Sequence, residues 1–166
     1  MPFFQRKQLK TRVLLVCTEN ICRSPIAEGL LRLYIERSEL RDAVEVCSAG
    51  TKASRPGCRP DLRAQKVAAY AGINLGRMRA RRVTVRDFLS SDFVFAMDEF
   101  NVSDLLEVCL PAHQHKISLL LSHHAGESLI EVPDPYYGST EGFERVFRIL
   151  DEAMDDLVGY IRNNID

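Results

Sequence analysis

Cys17 and Arg23 stand six positions apart in the segment Cys17-Thr18-Glu19-Asn20-Ile21-Cys22-Arg23-Ser24, and these residue types at this spacing suit chemistry on an oxyanion. A loop that curls so that successive N–H groups point inward, and then enters a helix, makes a cradle for phosphate oxygens. An arginine at its far end adds a planar fork of donors for two of those oxygens. A positive environment of this kind favours the thiolate, which is the nucleophilic form of cysteine, and the Ser24 hydroxyl is a candidate hydrogen-bond donor to the sulfur. The chemistry expected of Cys17 is attack on phosphorus, giving a cysteinyl-phosphate that water hydrolyses in a second step. Arg23 and the loop amides would stabilise the charge spread over the equatorial oxygens of the transition state.

The spacing alone says little in a chain with five cysteines and many arginines; the elements around it supply the specificity. Val13-Leu14-Leu15-Val16 is a short apolar run that reads as a buried strand ending at Cys17. A helix follows the loop, with Ser24 as its expected cap, Pro25 in its first turn and Ile26, Leu30 and Leu33 at helical spacing. Asn20 tolerates positive φ in the tight loop between them. A second strand is expected at Val44-Glu45-Val46-Cys47, stopped by Ser48-Ala49-Gly50.

Residues 52–60, with Pro56, Gly57 and Pro60, read as loop, and 61–70 as a helix ended by Gly72. Thr84 opens a short helix, Phe93-Val94-Phe95-Ala96-Met97 reads as a buried strand, and 99–108 as a helix. A further strand is expected near 116–119. Phe143, Val146, Phe147, Leu150, Met154, Leu157, Val158 and Ile161 mark one face of a long amphipathic last helix. Strands that alternate with helices and are apolar on both faces predict a parallel α/β sheet.

The loop, together with Ser48-Ala49-Gly50, Ala80-Arg81-Arg82-Val83-Thr84, Ala96-Met97-Asp98 and Asp134-Pro135-Tyr136-Tyr137-Gly138, closely resembles the low-molecular-weight protein tyrosine phosphatase family. The resemblance implies a four-stranded parallel sheet flanked by helices on both faces, a Rossmann-like or flavodoxin-like three-layer sandwich. It implies hydrolysis of phosphotyrosine in proteins with Cys17, Arg23 and Asp134 as catalytic residues. It further implies that Thr18, Glu19, Asn20, Ile21, Cys22, Ser24, Ser48, Tyr136 and Tyr137 contact substrate, with no metal or other cofactor. Residues 11–166 would form one phosphatase domain and residues 1–10 an extension.

Asp134 sits in Val132-Pro133-Asp134-Pro135, where the prolines stiffen an exposed loop. By residue type alone it is an ordinary turn aspartate. The resemblance makes it the acid for the phenolic leaving group and then the base for water, and sets Tyr136 and Tyr137 on the pocket rim, where aromatic faces stack on a substrate ring. Ile21 favours tyrosine over arginine phosphate, since similar arginine phosphatases tend to carry Thr there. Arsenate reduction needs downstream cysteines, and after Cys58 only Cys109 remains.

Glu19 departs from the resemblance, which has Gly at that position. A carboxylate about 8 Å from a bound anion, at an effective dielectric near 20, opposes binding by roughly 2 kcal/mol. Glu19 is therefore expected to point outward, and a phosphotyrosine-binding module with weak turnover is the rival reading. Residues 52–60 lack a large aromatic for the opposite pocket wall. Cys22 is either a plain buried thiol or the partner of Cys17 in a reversible disulfide.

A formal net charge of -1 predicts no general attraction to nucleic acid or anionic membranes. The amino terminus lacks the apolar run of a signal peptide, and an odd number of irregularly spaced cysteines fits a reduced, cytoplasmic protein. His113, His115, His123 and His124 are expected in surface loops, and Arg77, Arg79, Arg81, Arg82 and Arg86 on a solvated helix face. The expected partners are phosphotyrosine proteins, including a tyrosine kinase or its substrates, and in a bacterial setting a kinase of polysaccharide export. A monomer or weak homodimer is expected.

Overall fold

The computed structural model describes residues 10–126 and 129–165. The expected extension therefore lies, but for Lys10, outside the described residues. The elements run β1 (Thr11–Cys17), α1 (Arg23–Glu36), β2 (Val44–Gly50), α2 (Leu62–Ala69), α3 (Val85–Ser90), β3 (Phe93–Ala96), α4 (Glu99–Val108), β4 (Ile117–Leu119) and α5 (Thr140–Asn163), with 3-10 turns over Pro111–Lys116 and Leu120–His123. The four strands are parallel and ordered β2-β1-β3-β4.

β1 is central and apolar on both faces because both are covered. Val13, Leu15 and Cys17 face a core built with α1, α2 and α5, whereas Leu14 and Val16 face a second core with Phe88 of α3 and Leu105 of α4. The chain leaves β1 for β2 on one side, and returns to β3 on the other. The crevice of an open parallel sheet lies where the strand order reverses, at the carboxyl ends of the strands. Cys17 is the last residue of β1, so the topology puts it at that point.

Of the α5 stripe, Phe143, Val146, Leu150, Met154, Leu157, Val158 and Ile161 are buried, and Phe147 is half-buried at its margin. Thr84 does open α3, in a reciprocal capping box with Asp87. Two other expectations are corrected. The arginine run is not a single helix face: Arg86 is exposed on α3 as expected, but residues 77–82 lie outside any helix, Arg82 bridges to Gly50, and Arg81 pairs with Asp87 at 2.9 Å. Gly76 and the pairing with β2 override the helix propensity of arginine. His123 is not in an open surface loop either: it is half-buried in a 3-10 turn, its ring 3.8 Å from that of Tyr160 and 5.2 Å from that of Phe95.

Candidate active site

The loop between β1 and α1 is shaped by what holds its carbonyl groups. Thr51 N–H donates to Cys17 O at 2.9 Å, Lys52 and Ala53 N–H to Thr18 O at 2.9 and 3.1 Å, and Asp61 N–H to Ile21 O at 2.8 Å. With these carbonyls drawn toward residues 51–61, no hydrogen bond engages the N–H groups of residues 18–24 among the described residues. Asn20 turns the chain at φ 59. Gly50 lets the loop pass, because a Cβ there would lie 2.6 Å from Thr18 O and 3.0 Å from Asn20 N.

Ser24 was expected to cap α1, and the structure corrects this. The helix begins at Arg23 without a side-chain cap, and the Ser24 hydroxyl instead lies 3.0 Å from Cys17 Sγ and accepts from Asn20 Nδ2 at 2.9 Å. A tertiary partner has displaced the local one, and the uncapped first turn leaves its donors to an anion. Cys17 is 2% exposed at the floor of a cavity of about 330 Å³.

Arg23 is held at both ends of its fork. Nη1 donates to Asp98 Oδ2 at 2.5 Å and to Val132 O at 3.0 Å; Nη2 donates to Thr18 Oγ1 at 3.4 Å and lies 3.5 Å from Asp134 Oδ2. Burial opposes the Arg23 charge, but the Cys17 sulfur and the Asp98 and Asp134 carboxylates outweigh it and hold the guanidinium above its ordinary range. Asn101 Nδ2 donates to Thr18 Oγ1 at 3.0 Å and fixes that hydroxyl as well.

Cys17, Thr18, Glu19, Ile21, Cys22, Arg23, Asp134, Tyr136 and Tyr137 all line the cavity. The side chains of Asn20, Ser24 and Ser48 are not among its lining and hold one another behind the loop. Asn20 Nδ2 donates to Ser24 and Ser48, its Oδ1 accepts from Arg81 N–H at 3.0 Å, and Ser48 donates to Glu28 at 2.5 Å. These three brace the loop from behind. Burial pushes the Cys22 thiol well above its ordinary range, and the Cys17, Asp61 and Asp134 charges act in the same direction, so Cys22 is a poor nucleophile. Both cysteines are free thiols.

Glu19 does not simply point outward. It lines the mouth of the cavity, yet one carboxylate oxygen accepts from both the N–H and the hydroxyl of Ser54, each at 2.7 Å. Ser54 and Arg55 line the wall where an aromatic is missing, with Arg55 Nη2 3.5 Å from the Tyr136 hydroxyl. On the other side Arg63 carries the Asp134 loop, donating to Tyr136 O at 3.0 Å and Gly138 O at 2.9 Å. Its guanidinium centre lies 4.4 Å from the Phe143 ring centroid. Tyr136 N–H donates to Asp134 Oδ1 at 3.1 Å and the two tyrosine rings meet edge-on.

Asp98, Asn101, Ser54, Arg55 and Arg63 escaped the sequence reading as site residues. Only Asp98 carried a signal, as the last residue of Ala96-Met97-Asp98. Among the described residues no three His, Cys, Asp or Glu side chains cluster as metal ligands would.

Residues 12–166 match the family model described as low molecular weight phosphotyrosine protein phosphatase. The human protein of that name is 36% identical over 148 residues, covering 86% of this chain and 90% of the human one. The crystal structure of a protein tyrosine phosphatase from Entamoeba histolytica superposes with a TM-score of 0.88 at 35% identity, covering 93% of this chain and 98% of that one. An arginine phosphatase solved with a phosphorylated active-site serine superposes with a TM-score of 0.82 at 25% identity, covering 93% and 97% of the two chains. The backbone fold is thus shared by enzymes for two phosphorylated side chains, which leaves substrate choice to the cavity walls.

Proposed function

The chain belongs to the low molecular weight phosphotyrosine protein phosphatase family, and from that premise we propose that it hydrolyses phosphotyrosine by attack of Cys17 on phosphorus. The observation that carries this reading is the set of loop N–H groups that take no partner among the described residues, in the one short loop that joins a buried cysteine to a buried, doubly braced arginine. Substrate phosphate oxygens take those N–H groups and the outer nitrogen of Arg23, whose charge is already assured by its surroundings. Cys17 Sγ forms the bond to phosphorus as the tyrosine oxygen leaves. Asp134 lends that oxygen a proton and afterwards takes one from the water that attacks the cysteinyl-phosphate. The Ser24 hydroxyl, 3.0 Å from the sulfur, stabilises its anion both before attack and on departure.

Tyr136 and Tyr137 supply aromatic faces for the phenyl ring, and Ile21 an apolar floor. That apolar lining supports phosphotyrosine over phosphoarginine. The module reading loses its basis in Glu19, whose carboxylate is occupied by Ser54. Residues 11–166 act as one phosphatase domain, and we place the protein in the cytoplasm; no helix among the described residues is long and apolar enough to cross a membrane. Its partners are phosphotyrosine proteins, a tyrosine kinase or its substrates, with a kinase of polysaccharide export the class to try in a bacterium.

The test is hydrolysis of an aryl phosphate in the presence of EDTA. Turnover that survives chelation and disappears in Cys17→Ser is expected. Tight phosphopeptide binding without turnover in the wild-type chain would overturn the assignment.

A further inference from the structure

Behind Asn20, beside β2 at the outer side of the sheet, lies a second hollow of about 370 Å³. Four arginines border it: Arg32 from α1, and Arg77, Arg79 and Arg81 from the segment before α3. Arg32 pairs with Glu28 at 2.6 Å and Arg81 with Asp87 at 2.9 Å, whereas Arg77 and Arg79 meet no carboxylate within ion-pair distance among the described residues. Arg79 spends one nitrogen on the Gly76 and Met78 carbonyls, which fixes its place without neutralising it. Like charges held around one concavity raise its potential, and an oxyanion relieves their repulsion. Planar guanidinium forks are also the donors best matched to phosphate oxygens.

The hollow is wired to the nucleophile. Its one carboxylate, Glu28, is 6% exposed and accepts from the Ser48 hydroxyl at 2.5 Å. Asn20 Nδ2 donates to Ser48 Oγ at 3.0 Å and to Ser24 Oγ at 2.9 Å, and Ser24 Oγ lies 3.0 Å from Cys17 Sγ. Arg81, also in the wall, donates its N–H to Asn20 Oδ1 at 3.0 Å. Two wall residues thus hold the one residue of the catalytic loop that has positive φ.

We propose that this hollow binds an oxyanion of the phosphate class and that its occupancy raises turnover at Cys17. The anion draws Arg32 away from Glu28, which then pulls harder on the Ser48 hydrogen. Ser48 Oγ in turn accepts more strongly from Asn20, and the loop and Ser24 are held more tightly beneath the sulfur. The anion is either free phosphate, the product of the proposed reaction, or a phosphoryl group on a protein side chain. The effect on turnover rests on Cys17 being the nucleophile; the binding does not, so the two fail separately.

Cys47 lines the hollow and is half-buried, and it reports on occupancy without reference to activity. Its alkylation by iodoacetamide is followed by peptide mass spectrometry with inorganic phosphate in one arm and a phosphoserine peptide in the other. Cys17, read from its own peptide in the same sample, reports on the catalytic cavity. At ten times its dissociation constant a bound anion slows Cys47 labelling roughly tenfold by mass action. Protection in either arm supports the site and names the source, and the double variant R77Q/R79Q should lose it. Unchanged Cys47 labelling in both arms, or equal protection in R77Q/R79Q with its fold checked by circular dichroism, overturns the site. At saturating aryl phosphate, where competition at Cys17 is suppressed, kcat should rise severalfold with occupancy; a flat kcat while Cys47 is protected overturns the coupling.

Discussion

Glu19 gives a single carboxylate oxygen to Ser54 twice, to its N–H and to its hydroxyl, at 2.7 Å each. The negative charge at the mouth of an anion-binding cavity is therefore turned aside and used to tether the loop over residues 52–60. Charge and tether separate by substitution. Glu19→Gln keeps an acceptor and removes the charge, so kcat/KM for an aryl phosphate should rise by about 2–5-fold, mainly through KM. Ser54→Ala removes one of the two bonds that hold the carboxylate aside and should lower kcat/KM by a similar factor, well short of the roughly 1.5–3 kcal/mol of a whole hydrogen bond to a charged group, because the residue 54 N–H still holds the same oxygen. A fall in Glu19→Gln would show that the charge itself is needed.

Asp98 faces Arg23 with one oxygen and caps α4 with the other, accepting from Asn101 N–H at 2.7 Å. Asp98→Asn keeps a good cap and deletes the charge opposite a buried guanidinium. Steady-state kinetics should show kcat down by about 10–100-fold, the range expected when a clamp is slightly misplaced. Calorimetry should show a stability loss of about 1–3 kcal/mol, less than the full loss of a buried ion-pair partner because Val132 O and Asp134 also hold Arg23. Unchanged kinetics would mean that Asp98 serves only the helix.

Asp134 lies 3.5 Å from Arg23, accepts from the Tyr136 N–H and lines the same cavity as Cys17, so the proposed acid is held in place at the site. Asp134→Ala should slow esters with poor leaving groups by about 10²–10⁴-fold and those with good leaving groups much less. Equal slowing of both would refute the acid role and leave Asp134 as a positioning residue for Arg23.

Burial between Phe95 and Tyr160 lowers the His123 pKa below its ordinary value. The folded state therefore favours the neutral ring, while the unfolded chain takes up a proton near pH 6.5. By linkage the resulting stability is fully present above about pH 6.5 and is lost as pH falls through the lowered folded value. Melting temperatures from about pH 7.5 to pH 5 should fall more steeply in the wild type than in His123→Gln, which retains a partner for Ser118. Parallel curves would assign the acid sensitivity to other groups.

Much of the fold could be read from residue order because it depends on local pattern. The Val13 to Val16 run is apolar at every position, as a strand covered on both faces requires, and the α5 stripe follows one helical face over about five turns. Cys17 and Arg23 are legible for the same reason, since one short loop carries both. Where the pattern misled, a partner outside the element's own periodicity had prevailed. Ser24 has the residue type of a helix cap, yet its hydroxyl turns to Cys17 and Asn20. Arg77 to Arg82 suit a helix, yet Ala80 exchanges hydrogen bonds with Gly57 and Cys58 and Arg82 bridges to Gly50. Asn101, Arg55 and Arg63 reach the site from other elements, and nothing in their immediate sequence marks what they will touch.

The carbonyls of the catalytic loop are held by N–H groups of Thr51, Lys52, Ala53 and Asp61, which bracket the cavity wall formed by Ser54 and Arg55. The segment that meets the substrate's surroundings is thus also the jig in which the reactive loop is set. Selectivity and chemistry are not separable parts in this molecule. A graft of residues 52–60 from a relative would transplant preference for a new phosphoprotein only if the donor segment offers the same N–H groups at the same places; otherwise it would arrive as a loss of rate.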